Sequence, residues 1–301
     1  MGEKPVVGFV GVGLMGWGMA KNAVEKGWPL RVIAHRKREA VDDLVGRGAR
    51  EVANLDEMAA EAEIIVLCVT GAPEVQATVD DLVPSARHGL TIIDTSTSEP
   101  HVSARLAEEL AGRGITFVDA PLSRTPQHTW DGEATTYVGG PVEVFERIRP
   151  LLETWASAVI PVGGPVGSAH AVKLVNNLVA LGYAAVWSEC YATLDKLGIE
   201  ANVLREVVTN SGMNCGNFQN FSKYAVDGDP NAHKFSIANA CKDLAYYTRM
   251  ADGLGATTLL SDGTFQTLKL GMAMGMGERY VPEMVDIVRA LNDPRGTRSG
   301  T

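Results

Sequence analysis

Apolar residues fall into two patterns along the chain. Up to about residue 162, short and nearly continuous apolar runs alternate with stretches whose apolar positions recur at helical spacing. The runs at 6–10, 30–34, 64–69, 90–94 and 115–119 are rich in Val, Ile and Leu, and each ends in turn or cap residues such as Gly11, His35, Thr70-Gly71, Thr95-Ser96 and Ala120-Pro121. Such runs predict parallel strands buried on both faces with helices between them. Two further strands, 134–138 and 158–162, flank a helix starting near Pro141, and Gly163-Gly164-Pro165 ends the alternation. Beyond that break the strand pattern disappears, and the remainder reads as helices punctuated by Gly or Asp-Gly. The first of them, 167–197, is apolar almost all round, which predicts burial between domains or subunits. The expected organisation is α/β: a doubly wound sheet over 1–164, then an all-helical substrate and dimerisation domain over 165–301, joined by the long helix.

Composition narrows the partners. Lys and Arg number 27 against 36 Asp and Glu, a net charge of −9, and an acidic surface repels phosphate backbones and anionic membranes. Neither nucleic acid nor membrane is expected as a partner, and any anion bound needs a local basic site. Cys68, Cys190, Cys215 and Cys241 lie far apart, with no Cys-x-x-Cys pair and no His at zinc-ligand spacing, so no metal is expected. No run approaches the roughly 18 apolar residues of a spanning helix. The glycine cluster follows the N-terminus too closely for a signal peptide, and the cytoplasm is the expected compartment.

Gly11-Val12-Gly13-Leu14-Met15-Gly16 spells Gly-x-Gly-x-x-Gly between the first strand and a helical run, 14–26. In that setting the first glycine permits the turn, the second admits a pyrophosphate to the backbone, and the third packs helix on strand. The reading is a Rossmann-type dinucleotide site made by these six residues. An acid about 20 residues on would read the ribose hydroxyl of NAD. Ala34-His35-Arg36-Lys37-Arg38 stands there instead, with no acid before Glu39. His35, Arg36 and Lys37 suit a 2′-phosphate, which favours NADP over NAD; a solvated basic helix start is the plainer alternative.

Four segments in order carry a resemblance to a known family. They are Gly8 to Gly16 continuing to Met19-Ala20-Lys21-Asn22, then Asp119-Ala120-Pro121-Leu122-Ser123, then Gly167 with Lys173-Leu174-Val175-Asn176-Asn177, and Lys242-Asp243-Leu244. Together they resemble the β-hydroxyacid dehydrogenases. The resemblance implies hydride transfer between NADP(H) and a small anionic 3-hydroxy acid or its semialdehyde. It implies Lys173 as the general acid/base, an ammonium that protonates an alkoxide in one direction and an amine that deprotonates the alcohol in the other. Asn176 and Asn177 follow Lys173 at i+3 and i+4 on one helical face, so one amide can hold the reacting oxygen. The resemblance further assigns Val69, Thr70, Thr97, Phe235, Lys242 and Asp243 to the cofactor, Ser123, Arg124 and Thr125 to the substrate, and a homodimer or homotetramer to the assembly.

One position departs from the family pattern. The family loop reads Ser-Gly-Gly, whereas this chain reads Ser123-Arg124-Thr125. A fixed, permanently charged fork there suggests a clamp for a sulfonate, a second carboxylate or a phosphate. The loop is similar to that of the sulfolactaldehyde reductases of the family, which gives one alternative substrate. An arginine turned to solvent, or paired with an acid of the helical domain, is the other reading of this residue. Oxidative decarboxylation of a sugar acid and imine reduction fit less well, the latter because of Lys173. A cofactor-binding protein without turnover is the alternative outside enzymology.

Overall fold

The computed structural model describes residues 4–35 and 38–292. Strand β1 (Val7–Val10) leads to α1 (Gly16–Glu25), β2 (Leu30–Val32), α2 (Glu39–Gly46), β3 (Arg50–Glu51), α3 (Leu55–Glu61) and β4 (Ile64–Leu67). Helix α4 (Ala72–Leu82), β5 (Thr91–Asp94), α5 (Pro100–Ala111) and β6 (Thr116–Asp119) follow. These six strands form one sheet in the order β3-β2-β1-β4-β5-β6, every pair parallel. Side chains alternate across it. Val7, Phe9, Ile64, Val66 and Ile93 enter one buried cluster, while Val10, Ile65, Leu67 and Ile92 enter another on the opposite face. Each such side chain contributes about 1.5–3 kcal/mol on burial, which is why β1 and β4 carry no polar side chain and β5 and β6 carry them only at their ends.

Register decides what this sheet can present. Val10 pairs with Leu67, Leu67 with Asp94 and Asp94 with Asp119, so four strands end in one row. The segments that follow, Gly11, Val69-Thr70, Thr95–Thr97 and Ala120–Arg124, therefore emerge along the same carboxyl edge, where open α/β sheets bind ligands.

A smaller sheet continues the N-terminal part. Strand β7 (Leu122–Ser123), α6 (Pro126–Trp130), β8 (Ala134–Val138), α7 (Val142–Leu152) and β9 (Ala156–Pro161) give the order β7-β8-β9, with β7 antiparallel to β8 and β9 parallel to it. The last strand begins before the expected 158 because Ala156 pairs with Ala134 ahead of a bulge. The sequence pattern did not predict β3 or β7, each two residues long.

Helix α8 (Ser168–Leu197) opens the helical part, followed by α9 (Ala201–Thr209), α10 (Gly216–Asp227), α11 (Ile237–Gly253), α12 (Leu259–Ala273) and α13 (Met284–Asn292). The chain divides into two compact units, Met1–Lys173 and Leu174–Thr301, with α8 running through the division. The helical unit has its own core, which includes Leu181, Tyr191, Phe221, Ile237, Leu244, Leu268, Met284 and Ile287. Within one chain α8 is not covered all round: Val172, Val175, Val179, Tyr183 and Val186 remain 39–51% exposed in a single stripe. No helix among the described residues is long and apolar enough to cross a membrane.

Candidate active site

The glycine turn separates what the fold needs from what a ligand needs. Gly11 has φ +95°, and a β-carbon there would fall on the Cys68 carbonyl oxygen; one on Gly16 would fall on the Gly11 carbonyl oxygen. Both glycines are required by packing. Gly13 has ordinary φ and open space where a β-carbon would stand, so nothing in the fold excludes a side chain. Close approach of a bound group is the remaining demand at that position. Gly13→Ala is accordingly expected to leave the melting temperature nearly unchanged and to weaken dinucleotide binding about tenfold or more, whereas Gly11→Ala destabilises by about 2 kcal/mol or more. Thermal melts and fluorescence titration with NADPH check both.

At the neighbouring strand ends, the Val69 amide donates to Ser96 Oγ (3.0 Å) and the Thr95 hydroxyl to the Leu67 carbonyl (2.6 Å). Val69, Thr70 and Thr97 are thus held on one locked pair of loops. The Ser96 amide donates in turn to Asp94 Oδ1 at 2.9 Å.

The loop after β6 is held just as closely. Ser123 Oγ lies 2.9 Å from Tyr137 Oη, and Thr125 Oγ1 lies 2.7 Å from His128 Nδ1. Arg124 is the one non-glycine with positive φ among the described residues, at +79°. Its side chain is exposed, and Nη1 donates to the Glu133 carbonyl at 3.1 Å. A backbone conformation that favours glycine thus carries a guanidinium here. Helix α6 is fastened to α1: buried Asn22 donates to the carbonyls of Thr129 (2.8 Å) and Trp130 (3.1 Å), and Gly18 leaves room for the Trp130 backbone. The Trp130 ring meets Trp17 edge-on and lies beneath Lys21 and Arg47. Asn22 and Trp130 were not read as site residues, and their contribution is to fix the loop that carries Arg124.

Lys173 is half-buried on α8, with Asn176 exposed and Asn177 buried. In the helical unit Asn177 Nδ2 donates to Asp243 Oδ2 (2.7 Å), and Lys242 Nζ donates to Asp243 Oδ1 (2.7 Å). The Asp243 carboxylate thus joins both residues, and Lys242 also sits 4.8 Å from the centre of the Tyr246 ring. Asn177 keeps its carbonyl oxygen and one N–H beyond this bond. Phe235 is half-buried against the helical core, and its carbonyl accepts from the Val281 amide at 2.8 Å.

His35 is exposed at the end of β2, whereas Arg36 and Lys37 lie outside the described residues. Arg38, the last cation of that run, is engaged by Glu51 (2.9 Å) and Asp42 (3.1 Å), which raises its already high pKa and commits it to acids of its own unit. No group of three or more His, Cys, Asp or Glu side chains that could hold a metal ion occurs among the described residues.

Comparison with known proteins covers both units. Residues 6–164 match the NAD binding domain of 6-phosphogluconate dehydrogenase, and residues 167–288 match the NAD-binding region of NADP-dependent 3-hydroxyisobutyrate dehydrogenase. L-threonate dehydrogenase of Escherichia coli O6:H1 is 31% identical over 97% of this chain and 98% of its own. The 3-sulfolactaldehyde reductase of Escherichia coli K12 is 28% identical over 94% and 95%, respectively. Among solved structures, 3-hydroxyisobutyrate dehydrogenase of Salmonella typhimurium superposes with a TM-score of 0.85 at 26% identity, covering 94% of this chain and all of that one. With both units matched and full-length relatives of this kind, the chain belongs to the β-hydroxyacid dehydrogenase family.

Proposed function

We propose that the protein is an NADPH-preferring reductase, or reversible dehydrogenase, acting on a small anionic 3-hydroxy acid or its semialdehyde or sulfonate analogue. The open space at Gly13 beside the Gly11 turn fits a dinucleotide pyrophosphate, to be held by residues Gly11 to Gly16, with Val69, Thr70 and Thr97 toward the nicotinamide. When bound, the nicotinamide supplies or accepts the hydride. Lys173 exchanges the proton with the substrate oxygen, Asn177 orients that oxygen from a side chain fixed by Asp243, and Lys242 balances the Asp243 charge. Ser123 and Thr125 frame the substrate, while Arg124 takes its anion.

The observation that carries the substrate class is Arg124, a charged fork standing in a glycine conformation. Either a carboxylate or a sulfonate suits that fork, and the relative named 3-sulfolactaldehyde reductase favours including the sulfonate. The test is NADPH oxidation with short aldehydes bearing a carboxylate, a sulfonate, a phosphate or no charge, repeated with NADH. Turnover of an anionic aldehyde, with NADPH preferred about tenfold or more over NADH, is expected from a 2′-phosphate site at Arg36 and Lys37. NADPH binding without turnover of any aldehyde would instead mark a cofactor-binding protein, and an NADH preference would sink the phosphate assignment.

A further inference from the structure

The N-terminal unit buries an imidazole that the proton transfer above does not use. His170 lies in the first turn of α8, three residues before Lys173, with a side chain that is 0% exposed. Its Nε2 is 3.1 Å from the Ser96 carbonyl oxygen, and its Nδ1 is 2.8 Å from Ser103 Oγ. A carbonyl only accepts, so Nε2 carries the proton and Nδ1 accepts the serine hydroxyl. The neutral ring is then satisfied at both nitrogens. Two buried carboxylates flank it, Asp94 Oδ2 at 3.8 Å from Nε2 and Asp119 Oδ2 at 3.9 Å from Nδ1. Asp119 is already taken up by the amides of Gly167 and His170, each at 2.9 Å, and so caps the start of α8 from the end of β6.

This ring joins three elements at the place where proton and hydride transfer have to be coordinated. Ser96 is bound on three sides: its amide to Asp94, its hydroxyl to the Val69 amide, and its carbonyl to His170. Thr97 follows it directly. Ser103 adds the first turns of α5.

We infer that His170 is a positioning residue for hydride transfer, its Nε2–H tie to Ser96 setting the Lys173 turn of α8 against the strand end that carries Thr97. The inference rests on the proposed roles of Lys173 and Thr97. Reacting atoms have to meet at about 3–3.5 Å, and a misplacement of about 1 Å can cost roughly a hundredfold in rate. The Asp119 cap holds the backbone at the start of α8 to the end of β6, and the ring alone ties it to Ser96, so losing that tie opens the turn to a shift of that size relative to Thr97.

Two substitutions separate positioning from packing. In His170→Gln the amide nitrogen falls near the place of Nε2 and can still donate to Ser96; in His170→Asn the shorter amide matches Nδ1, reaching Ser103 but not Ser96. His170→Gln is expected to keep kcat within about threefold of wild type, and His170→Asn to lose about tenfold or more, with the dissociation constant for NADPH nearly unchanged in both. Ring nitrogen-15 spectra of the wild type, which need no substrate and no variant, are expected to show the Nε2–H tautomer of His170. Equal kcat in both variants with an active wild type, losses that track melting temperature rather than the Ser96 tie, or an Nδ1–H tautomer overturns this inference alone. A wild type without turnover overturns the reductase reading, and this inference with it.

Discussion

Lys173→Ala is expected to lose about 10²–10⁴-fold in kcat while binding NADPH as tightly as the wild type. The separation follows from where the groups lie. The glycine turn and the strand ends belong to β1, β4 and β5, where the Val69–Ser96 and Thr95–Leu67 hydrogen bonds are made by other residues than the lysine. Alanine is the strongest helix former, so α8 persists through the change. Lys173→Arg sharpens the result. A guanidinium keeps the positive charge but has a pKa above about 12 and does not exchange its proton near neutrality. An arginine variant with a tenth or more of wild-type activity would mean that the lysine acts through its charge, and the acid/base role would have to be given up. Steady-state rates in both directions, with fluorescence titration of NADPH on the same preparations, supply the measurement.

The main sheet was legible because its strands are buried on both faces, which leaves near-continuous runs such as Ile64–Leu67 in the sequence. Strand β3 left no such trace. Arg50 and Glu51 are exposed and pair with β2 through backbone alone. The glycine turn was legible for a different reason, since two of its glycines are dictated by sterics within a few residues of sequence and the third by the ligand.

The polar network behind the site was hidden because its members meet only through register and long-range hydrogen bonds. His170 and Asp119 are 51 positions apart, and His170 and Ser103 are 67 apart. A clue was nonetheless present. Asp94 and Asp119 each close a strand that carries no other charged residue, and a fully buried carboxylate demands a partner. Burial does raise the Asp94 carboxyl above its usual range, opposed by the Ser96 hydrogen bonds. Asn22 shows the converse. It lies in the first resembling segment, at the end of Met19-Ala20-Lys21-Asn22, and its side chain anchors α6 and hence the Arg124 loop.

Arg124 is where conformation and chemistry pull in opposite directions, and two substitutions resolve them. Its φ of +79° costs a residue with a side chain about 1–2 kcal/mol. Glycine removes that strain but adds about 0.4–1 kcal/mol of unfolded-state entropy; alanine keeps the strain. Arg124→Gly should therefore be the more stable of the two by about 0.5–1 kcal/mol, a few degrees in melting temperature at most. Both lose the Nη1 bond to Glu133, so that contact does not bias the comparison. Among the described residues one of the five guanidinium N–H groups is spent on Glu133, and the fork has further N–H groups to offer an anion. A charged hydrogen bond of about 1.5–3 kcal/mol corresponds to a KM increase of roughly 10–150-fold for anionic aldehydes in either variant, with uncharged aldehydes little affected. If glycine restores stability and leaves KM for anionic aldehydes unchanged, the arginine is no clamp, and the anion is held by the backbone amides of the loop, as in a Ser-Gly-Gly sequence.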